Sequence, residues 1–197
     1  MAKRIFDWVA STVGLLILAP LFCVLAIWIK LDSFGPIFFR QERVGYQGKI
    51  FRIHKFRTMV VEAERLGLQI TIGSDSRVTR VGQWMRKYKL DELPQLIDVW
   101  MGDMSLVGPR PEVPRYVAFY PPEIRDLIQT VRPGITDKAS IEFKDENEIL
   151  GKSSNPHQAY INDVLPIKLN YYADYVKNRS FFGDLILILK TLKSILR

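Results

Sequence analysis

Residues 8–29 read WVASTVGLLILAPLFCVLAIWI, a run of 22 residues without a charged side chain. A helix of this length is long enough to cross about 30 Å of membrane hydrocarbon. Pro20 lies in the middle of the run, where it lacks a backbone donor and its ring clashes with the preceding turn, so we expect a break there. Basic residues flank both ends and therefore set no direction of insertion; they are Lys3, Arg4, Lys30 and Arg40.

These two features predict that residues 1–32 form a re-entrant membrane helix hairpin. Such a hairpin enters and leaves by the same membrane face, which accommodates both the central proline and the basic flanks. An ordinary transmembrane helix or a signal anchor is the alternative, because hydropathy alone does not separate either of them from a re-entrant hairpin. A cleaved signal peptide is disfavoured, since the apolar run exceeds the usual ~7–15 residues.

The composition is that of a folded domain with an excess of positive charge. A length of 197 residues is enough for one domain, and 48% hydrophobic and 25% charged residues are close to globular averages. One cysteine and two histidines exclude a disulfide framework and a Cys/His structural zinc site. The formal charge of +7 favours an anionic partner, which could be nucleic acid, a phosphorylated ligand or a membrane surface.

The chain after the apolar run is predicted to be an α+β domain that is mainly helical. Residues 36–57 are alternating or rich in aromatic side chains around Gly45 and Gly48, which indicates a small β-hairpin. A helix should follow residues 91–94, because aspartate is a good N-cap and proline is tolerated within the first turn; it should run through residues 95–100 and end near Gly102. Other short helices, expected to pack on the membrane surface, are predicted at residues 60–66, 81–89, 115–120 and 123–131.

The C-terminal residues 184–197 have the pattern of an amphipathic helix. Basic residues lie on one helical face and leucines on the opposite one: Lys190, Lys193 and Arg197 against Leu185, Leu189, Leu192 and Leu196. This arrangement favours a helix that lies in the membrane interface. An ordinary helix that closes the core is the alternative.

The adjacent carboxylates Asp91 and Glu92 are the first candidates for chemistry. At the start of a helix, the free N–H groups keep a carboxylate ionised and also attract phosphate. The pair could therefore supply a nucleophile and a metal ligand, whereas an everyday capping arrangement is the alternative. The sequence contains no phosphate-binding P-loop, no nucleophile elbow and no zinc-protease helix motif.

Four basic residues are candidates for binding phosphate. Lys55 and Arg57 occupy alternate positions at the end of a predicted strand, and Arg86 lies about one helical turn before the carboxylates. Arg110 stands between Pro109 and Pro111, which stiffen the loop, and a guanidinium matches phosphate oxygens in bidentate geometry. Together with the carboxylates, these cations predict a site for a diphosphate and a divalent ion.

Four motifs of the chain resemble, in order and spacing, those of the bacterial sugar transferase family, the small monotopic phosphoglycosyl transferases. They are Lys55–Met59 (KFRTM), Leu90–Gln95 (LDELPQ), Gly102–Pro111 (GDMSLVGPRP) and Arg132–Thr136 (RPGIT). The resemblance implies that Asp91 is the nucleophile, that Glu92 binds Mg²⁺, and that Lys55, Arg86 and Arg110 contact substrate phosphates. Two positions depart from the family pattern: Ala19 stands where a serine is common, and Asp137 where a glycine is common.

The resemblance also implies a function. We expect a phosphoglycosyl transferase that moves a sugar 1-phosphate from a UDP-sugar to a polyprenol phosphate, through a covalent aspartyl phosphosugar, with release of UMP. It would start surface glycan synthesis at the cytoplasmic face of the bacterial inner membrane, with membrane lipid but no nucleic acid as a partner, and a homo-oligomer is left open. The implied division is a membrane helix at 1–32, a catalytic domain at 33–183 and an interfacial helix at 184–197.

A rival interpretation is a non-catalytic basic module that binds anionic lipid or nucleic acid at a membrane surface. It accounts for the positive charge and for both apolar ends. It does not account for the carboxylate pair or for the arginine between two prolines, and the sequence has no nucleic-acid-binding motif.

Overall fold

The computed structural model describes residues 1–61, 63, 75–143, 150, 151, 153 and 155–195, and these are mainly helical, as predicted. The helices are α1 (Ala2–Asp32), α2 (Arg80–Lys87), α3 (Gln95–Met101), α4 (Pro114–Val117), α5 (Pro122–Ile128), α6 (Lys138–Glu142), α7 (Pro156–Ala159), α8 (Leu165–Asn178) and α9 (Phe181–Ile195). The strands are β1 (Phe38–Val44), β2 (Ile50–Phe56), β3 (Ser105–Val107) and β4 (Gly134–Thr136). Short 3-10 turns at Tyr46–Gly48 and Leu90–Glu92 and a π-helical turn at Tyr160–Val164 join them.

The apolar run forms a single helix of 31 residues, α1, which continues through Pro20. It is long and apolar enough to cross a membrane, with a mean hydropathy of 2.6 over its most apolar window. The two half-helices predicted on either side of Pro20 are therefore not seen. Proline lacks only its own N–H, and the neighbouring helical bonds on both sides hold the helix together across this gap.

The first turns of α1 are held to the rest of the protein by polar contacts. Arg4 Nη1 donates a hydrogen bond of 2.8 Å to the carbonyl of Val99. The carboxylate of Asp7 is buried and accepts bonds from the Ser105 hydroxyl, at 2.9 Å, and from the Leu106 N–H, at 3.2 Å. Because a buried carboxylate is costly unless hydrogen-bonded, these partners anchor the start of the helix.

The last turns of α1 are held by apolar packing instead. Leu25 and Ile29 are buried in a cluster with Phe56, Val81 and Met85. This cluster packs the end of α1 against β2 and α2. Both ends of α1 are therefore attached to the same body of the protein.

The middle of α1 leaves the apolar side chains of one face uncovered. Between Ser11 and Leu25 this fully described helix has no buried residue. Leu16 and Ile17 are each 71% exposed. An apolar surface of this kind between two anchored ends is typical of a segment that meets lipid.

The predicted β-hairpin is confirmed by β1 and β2. The strands are antiparallel, with Phe38 opposite Phe56 and Val44 opposite Ile50. The turn between them ends at Gly48, whose φ of 73° is readily adopted by glycine. The hairpin brings the end of β2 to the centre of the protein.

A second, parallel pairing between β3 and β4 was not predicted. Ser105 lies opposite Gly134, and Val107 lies opposite Thr136. The backbone at Gly134 also approaches the loop after β3 closely: a Cβ on Gly134 would lie 2.1 Å from the amide nitrogen of Gly108. Glycine is required there, because any side chain would push the loops after β3 and before β4 apart.

Buried side chains hold these elements in place. One cluster, of Phe51, Ile53, Val99 and Met104, joins β2 to α3 and β3. A larger cluster lies in the C-terminal half and contains Val113, Tyr116, Tyr120, Ala139, Leu150, Tyr160, Val164, Leu165, Leu169 and Tyr172. The loop between β3 and α4 is held between the two clusters, which restricts its movement.

The predicted helix at 81–89 is confirmed by α2, and those at 115–120 and 123–131 overlap α4 and α5. In the segment 60–66, residues 62 and 64–66 lie outside the described part of the chain. The helix predicted to follow residues 91–94 and to end near Gly102 is confirmed by α3, but its N-cap is Pro94 and not Asp91. Asp91 lies instead in the 3-10 turn Leu90–Glu92, in which the Leu93 N–H donates to the Leu90 carbonyl at 3.3 Å.

The C-terminal helix begins earlier than predicted, at Phe181 rather than residue 184, and Leu196 and Arg197 lie outside the described part of the chain. Leu189 and Leu192 are exposed, as are the predicted basic residues Lys190 and Lys193. The helix therefore does not bury these leucines in the core of the described structure.

Candidate active site

The two adjacent carboxylates lie in the 3-10 turn Leu90–Glu92, between α2 and α3. The turn follows Lys89, whose φ of 55° reverses the chain after α2. It packs against both α2 and β2. The turn therefore brings the carboxylates to the end of the β-hairpin, where Lys55 lies.

Glu92 is paired with two of the predicted basic residues. Its Oε1 accepts a bond of 2.8 Å from Lys55 Nζ and a second bond from Arg110 Nη2. Burial alone would raise the pKa of Glu92, but the charges of Arg110 and Lys55 outweigh it and hold the pKa well below its usual range. Glu92 is therefore ionised throughout the physiological range.

Asp91 is in the opposite situation. Across the described part of the chain, no hydrogen bond or ion pair to its carboxylate is present. Burial and then the charge of Glu92 raise the pKa of Asp91, and the charges of Lys55, Arg86 and Lys89 partly offset this. One carboxylate of the pair is thus held by cations, whereas the other is unengaged and more basic than usual, as a nucleophile requires.

Arg110 reaches the site from the loop after β3. The loop is fixed by the Gly134 N–H, which donates to the Pro109 carbonyl at 2.9 Å. The charge of Glu92 raises the pKa of Arg110 above its already high value. The loop thus places Arg110 against Glu92, and its expected contact with substrate phosphate stays a prediction.

Arg86 approaches from the last turn of α2. Its Nε donates a bond of 2.8 Å to the Thr58 hydroxyl. Burial lowers the pKa of Arg86, while the charge of Asp91 raises it. Arg86 therefore lies within electrostatic reach of Asp91, on the side of that carboxylate that faces α2.

Arg57 is not brought to the carboxylates. It is buried, and its guanidinium donates to the carbonyls of Ser33, at 2.7 Å, and Phe34. It holds the loop after α1 against the end of β2. Its expected contact with substrate phosphate stays a prediction and gains no support from these partners.

Sequence reasoning missed Glu112, which directly follows the Pro-Arg-Pro segment. Its carboxylate accepts from Arg43 Nη1, at 3.2 Å, from the Val113 N–H, at 2.8 Å, and from the Tyr160 hydroxyl. These bonds tie the loop that carries Arg110 to β1 and to the C-terminal cluster. The signal in the sequence that could have identified Glu112 is its position directly after the stiff Pro-Arg-Pro segment.

A second missed pair is His54 and Asp98. His54 Nδ1 lies 2.6 Å from Asp98 Oδ1, and the His54 N–H donates to Asp98 Oδ2 at 2.8 Å. Asp98 is buried, and burial raises its pKa. The pair joins β2 to α3, and so fixes the residue before Lys55 relative to the turn that carries Asp91.

A cavity of about 30 Å³ lies beside Arg110, with Gly45, Tyr120 and Gln129 among its lining residues. Neither Asp91 nor Glu92 lines this cavity, so it is not the space in front of the carboxylates.

The site fits a magnesium ion that takes most of its ligands from elsewhere. The hydrogen bonds from Lys55 and Arg110 are both accepted by Glu92 Oε1, and within the described structure Oε2 has no protein partner. The same residues contain no group of three or more His, Cys, Asp or Glu side chains that could form a metal cage. Mg²⁺ commonly uses one or two carboxylates together with waters and substrate phosphates, so Glu92 Oε2 would suffice as the protein ligand.

Comparison with known proteins identifies relatives over the whole chain. The model of the family described as bacterial sugar transferase matches residues 1–197. The chain is 38% identical, over 98% of its length, to the UDP-N-acetylgalactosamine-undecaprenyl-phosphate N-acetylgalactosaminephosphotransferase of Aeromonas hydrophila, and covers 43% of that protein. It is 36% identical, over 97% of its length, to the UDP-glucose:undecaprenyl-phosphate glucose-1-phosphate transferase of Escherichia coli (strain K12), and covers 39% of it.

A third relative is close to the chain in length. The exopolysaccharide production protein ExoY of Rhizobium meliloti (strain 1021) is 32% identical over 99% of the chain, which covers 85% of it. The chain thus spans about two fifths of the first two relatives and most of the third. The shared region contains the carboxylate pair and the cations around it.

Proposed function

The chain belongs to the bacterial sugar transferase family, and from this premise we propose that it transfers a sugar 1-phosphate from a UDP-sugar to undecaprenyl phosphate. In this proposal UMP is the other product and the lipid-linked sugar starts a surface glycan. Transfer to undecaprenyl phosphate agrees with the names of the first two relatives, and a surface glycan agrees with the exopolysaccharide production named for the third. The observation that carries the proposal is the contrast between the paired Glu92 and the unengaged, more basic Asp91.

In the proposed reaction, an oxygen of Asp91 attacks the phosphorus that bears the sugar. A bond forms between Asp91 and that phosphorus, and the anhydride bond breaks with its electron pair leaving on UMP. A phosphate oxygen of the lipid acceptor then attacks the same phosphorus, and the bond to Asp91 breaks, which restores the carboxylate. One phosphoanhydride is exchanged for another, so the protein has to lower a barrier rather than drive an uphill step.

The cations around the pair stabilise the charge of the diphosphate. Lys55 and Arg110 contact Glu92 in the absence of substrate. Their N–H groups can turn to phosphate oxygens when the UDP-sugar binds. Arg86 lies within electrostatic reach of Asp91, where its charge would favour the transition state. A Mg²⁺ ion held by Glu92 would neutralise charge on the diphosphate.

We further propose that the protein is monotopic, with both ends of α1 on the cytoplasmic face of the inner membrane. Asp7 and Ile29 are buried against the same body of the protein, whereas the apolar middle of α1 is exposed. A helix that crossed the bilayer would place its ends about 30 Å apart on opposite sides. In this proposal α1 bends at Pro20, where one backbone hydrogen bond is missing, and follows a re-entrant course with Pro20 deepest. This course accommodates both attachments, and α9 would lie in the interface beside it.

A panel of UDP-sugars, supplied with undecaprenyl phosphate and Mg²⁺ and read out as UMP release, tests the proposal. We expect one or a few UDP-sugars to release UMP with the native protein, and none to do so with Asp91→Asn. Release by Asp91→Asn at the native rate, or release from no UDP-sugar by the native protein, would contradict it.

A further inference from the structure

Three exposed aromatic rings form a continuous row between the membrane helix and the candidate active site. The rings of Trp28, on α1, and Trp84, on α2, have centroids 5.2 Å apart. The rings of Trp84 and Tyr88 have centroids 5.0 Å apart. The three side chains are 41%, 41% and 43% exposed, and we call them the aromatic platform.

The platform is continuous with apolar surface at one end. Ile27 and Leu31 flank Trp28 on α1, and both are exposed. An apolar molecule that lies in the membrane beside α1 can therefore move onto the platform without leaving apolar surroundings.

At its other end the platform lies beside Lys87 and near the turn that carries the carboxylates. Lys87 Nζ lies 5.4 Å from the ring centroid of Tyr88. Asp91 follows Tyr88 by three residues, and α2 packs against the turn that carries it. The platform therefore leads from an apolar surface to a basic edge next to the proposed nucleophile.

This combination fits an amphiphile better than a bilayer. Tryptophan and tyrosine that only anchor a protein are spread along the level of the headgroups, whereas these rings contact one another in a row. Aromatic faces bind unsaturated hydrocarbon by area and dispersion, and a lysine at the end of the row complements a phosphate.

We infer that the aromatic platform binds the first isoprene units of the polyprenyl phosphate acceptor, with Lys87 beside the phosphate that attacks the sugar-bearing phosphorus. This inference rests on the proposed function and adds the route by which the acceptor reaches Asp91. It predicts that loss of the platform affects the second displacement and leaves the first unchanged.

The test separates the two displacements in detergent micelles, where no bilayer is present. UMP released in a single turnover without acceptor measures the first. The KM for undecaprenyl phosphate at saturating UDP-sugar measures the second. For Trp84→Ala and Tyr88→Ala we expect the acceptor KM to rise about tenfold, which corresponds to about 1.4 kcal/mol, with native single-turnover release of UMP. Trp84→Phe should restore most of the loss.

Trp100→Ala is the matched control, because Trp100 is 46% exposed on α3 and lies outside the platform. Its acceptor KM should stay within about twofold of native on the same scale. A native acceptor KM in Trp84→Ala and Tyr88→Ala, or an equal rise in Trp100→Ala, would overturn the inference. If an alanine variant releases no UMP because it has not folded, Trp84→Leu and Tyr88→Leu, which remove the rings but keep apolar volume, decide by the same comparison. Failure of the native protein to release UMP would instead count against the proposed function.

Discussion

Lys55 Nζ lies 2.8 Å from Glu92 Oε1, and this ion pair joins the end of β2 to the turn that carries Asp91. The pair lies only one peptide bond from Asp91, yet the Asp91 carboxylate is left without such a partner in the described structure. Two neighbouring carboxylates are thereby differentiated: one is held as a fixed anion, and the other is kept available. The first predictions follow from this difference.

Asp91→Asn should abolish the covalent step, because an amide is a poor nucleophile. Asp91→Glu should lose at least about a hundredfold in rate, since a displacement of the attacking oxygen by about 1 Å has that effect. Intact-mass spectrometry of the native protein with its UDP-sugar and no acceptor should show a sugar-phosphate adduct. Absence of the adduct, with normal turnover when acceptor is added, would rule out Asp91 as the nucleophile.

Glu92→Gln should weaken Mg²⁺ binding, because it removes the ionised ligand and leaves Lys55 and Arg110 without their anion. The apparent affinity should fall at least about tenfold, as even indirect partners of a metal site cause losses of that size. The measurement is UMP release as a function of Mg²⁺ concentration, with Glu42→Gln, an exposed glutamate on β1, as the control. Full activity of the native protein in excess EDTA would refute the metal requirement.

Arg110→Lys should impair the enzyme although it keeps the charge, since lysine lacks the planar fork that binds two phosphate oxygens. We expect kcat/KM for the UDP-sugar to fall between about tenfold and about a hundredfold, the range of one charged hydrogen bond. Arg52→Lys, at an exposed position on β2, is the matched control. Equal kinetics in the two variants would make Arg110 an ordinary surface cation.

The pH dependence of the rate should reflect the raised pKa of Asp91. Because attack requires the ionised carboxylate, activity should be lost on acidification at a higher pH than for an ordinary aspartate. Lys89 lowers the pKa of Asp91, so Lys89→Asn should move the acid limb to still higher pH, and asparagine tolerates the positive φ there. Lys49→Asn, exposed before β2, should leave the limb in place. An acid limb that moved to lower pH in Lys89→Asn would contradict this assignment.

The course of α1 can be tested by thiol labelling of single cysteines in a Cys23→Ser background. The positions are Ala2→Cys, at the start of α1, and Phe34→Cys, which follows α1 and is almost fully exposed. A membrane-impermeant reagent should label neither position in intact cells and both after lysis. Labelling of position 2 alone from outside would establish a spanning helix and exclude the monotopic arrangement.

Local patterns in the sequence were sufficient for much of the fold. The uncharged run, the alternation in β1 and β2 and the prolines around Arg110 act within a few residues, so each could be interpreted without knowledge of the rest of the chain. The helix after the carboxylates was predicted as well, but not its N-cap, because Asp91 lies in a separate 3-10 turn and Pro94 precedes the first residue of α3.

Lys55 and Arg57 illustrate what local sequence patterns cannot predict. Alternate positions of a strand share a face, which favoured both residues as phosphate ligands. However, β2 ends at Phe56, so the backbone turns away and Arg57 binds the loop after α1 instead. Only the packing of α1 against the end of β2 decides this.

The sequence by itself determined the apolar helix, the β-hairpin of β1 and β2, the family and the identity of the candidate carboxylates, because these depend on residue types at short spacing. The tertiary structure alone decided that Lys55 and Arg110, 55 residues apart, meet on one oxygen of Glu92. It also decided that both ends of α1 attach to one body and that Trp28 meets Trp84. Contacts of this kind are set by side-chain packing between distant segments, which leaves no periodic signal in the sequence.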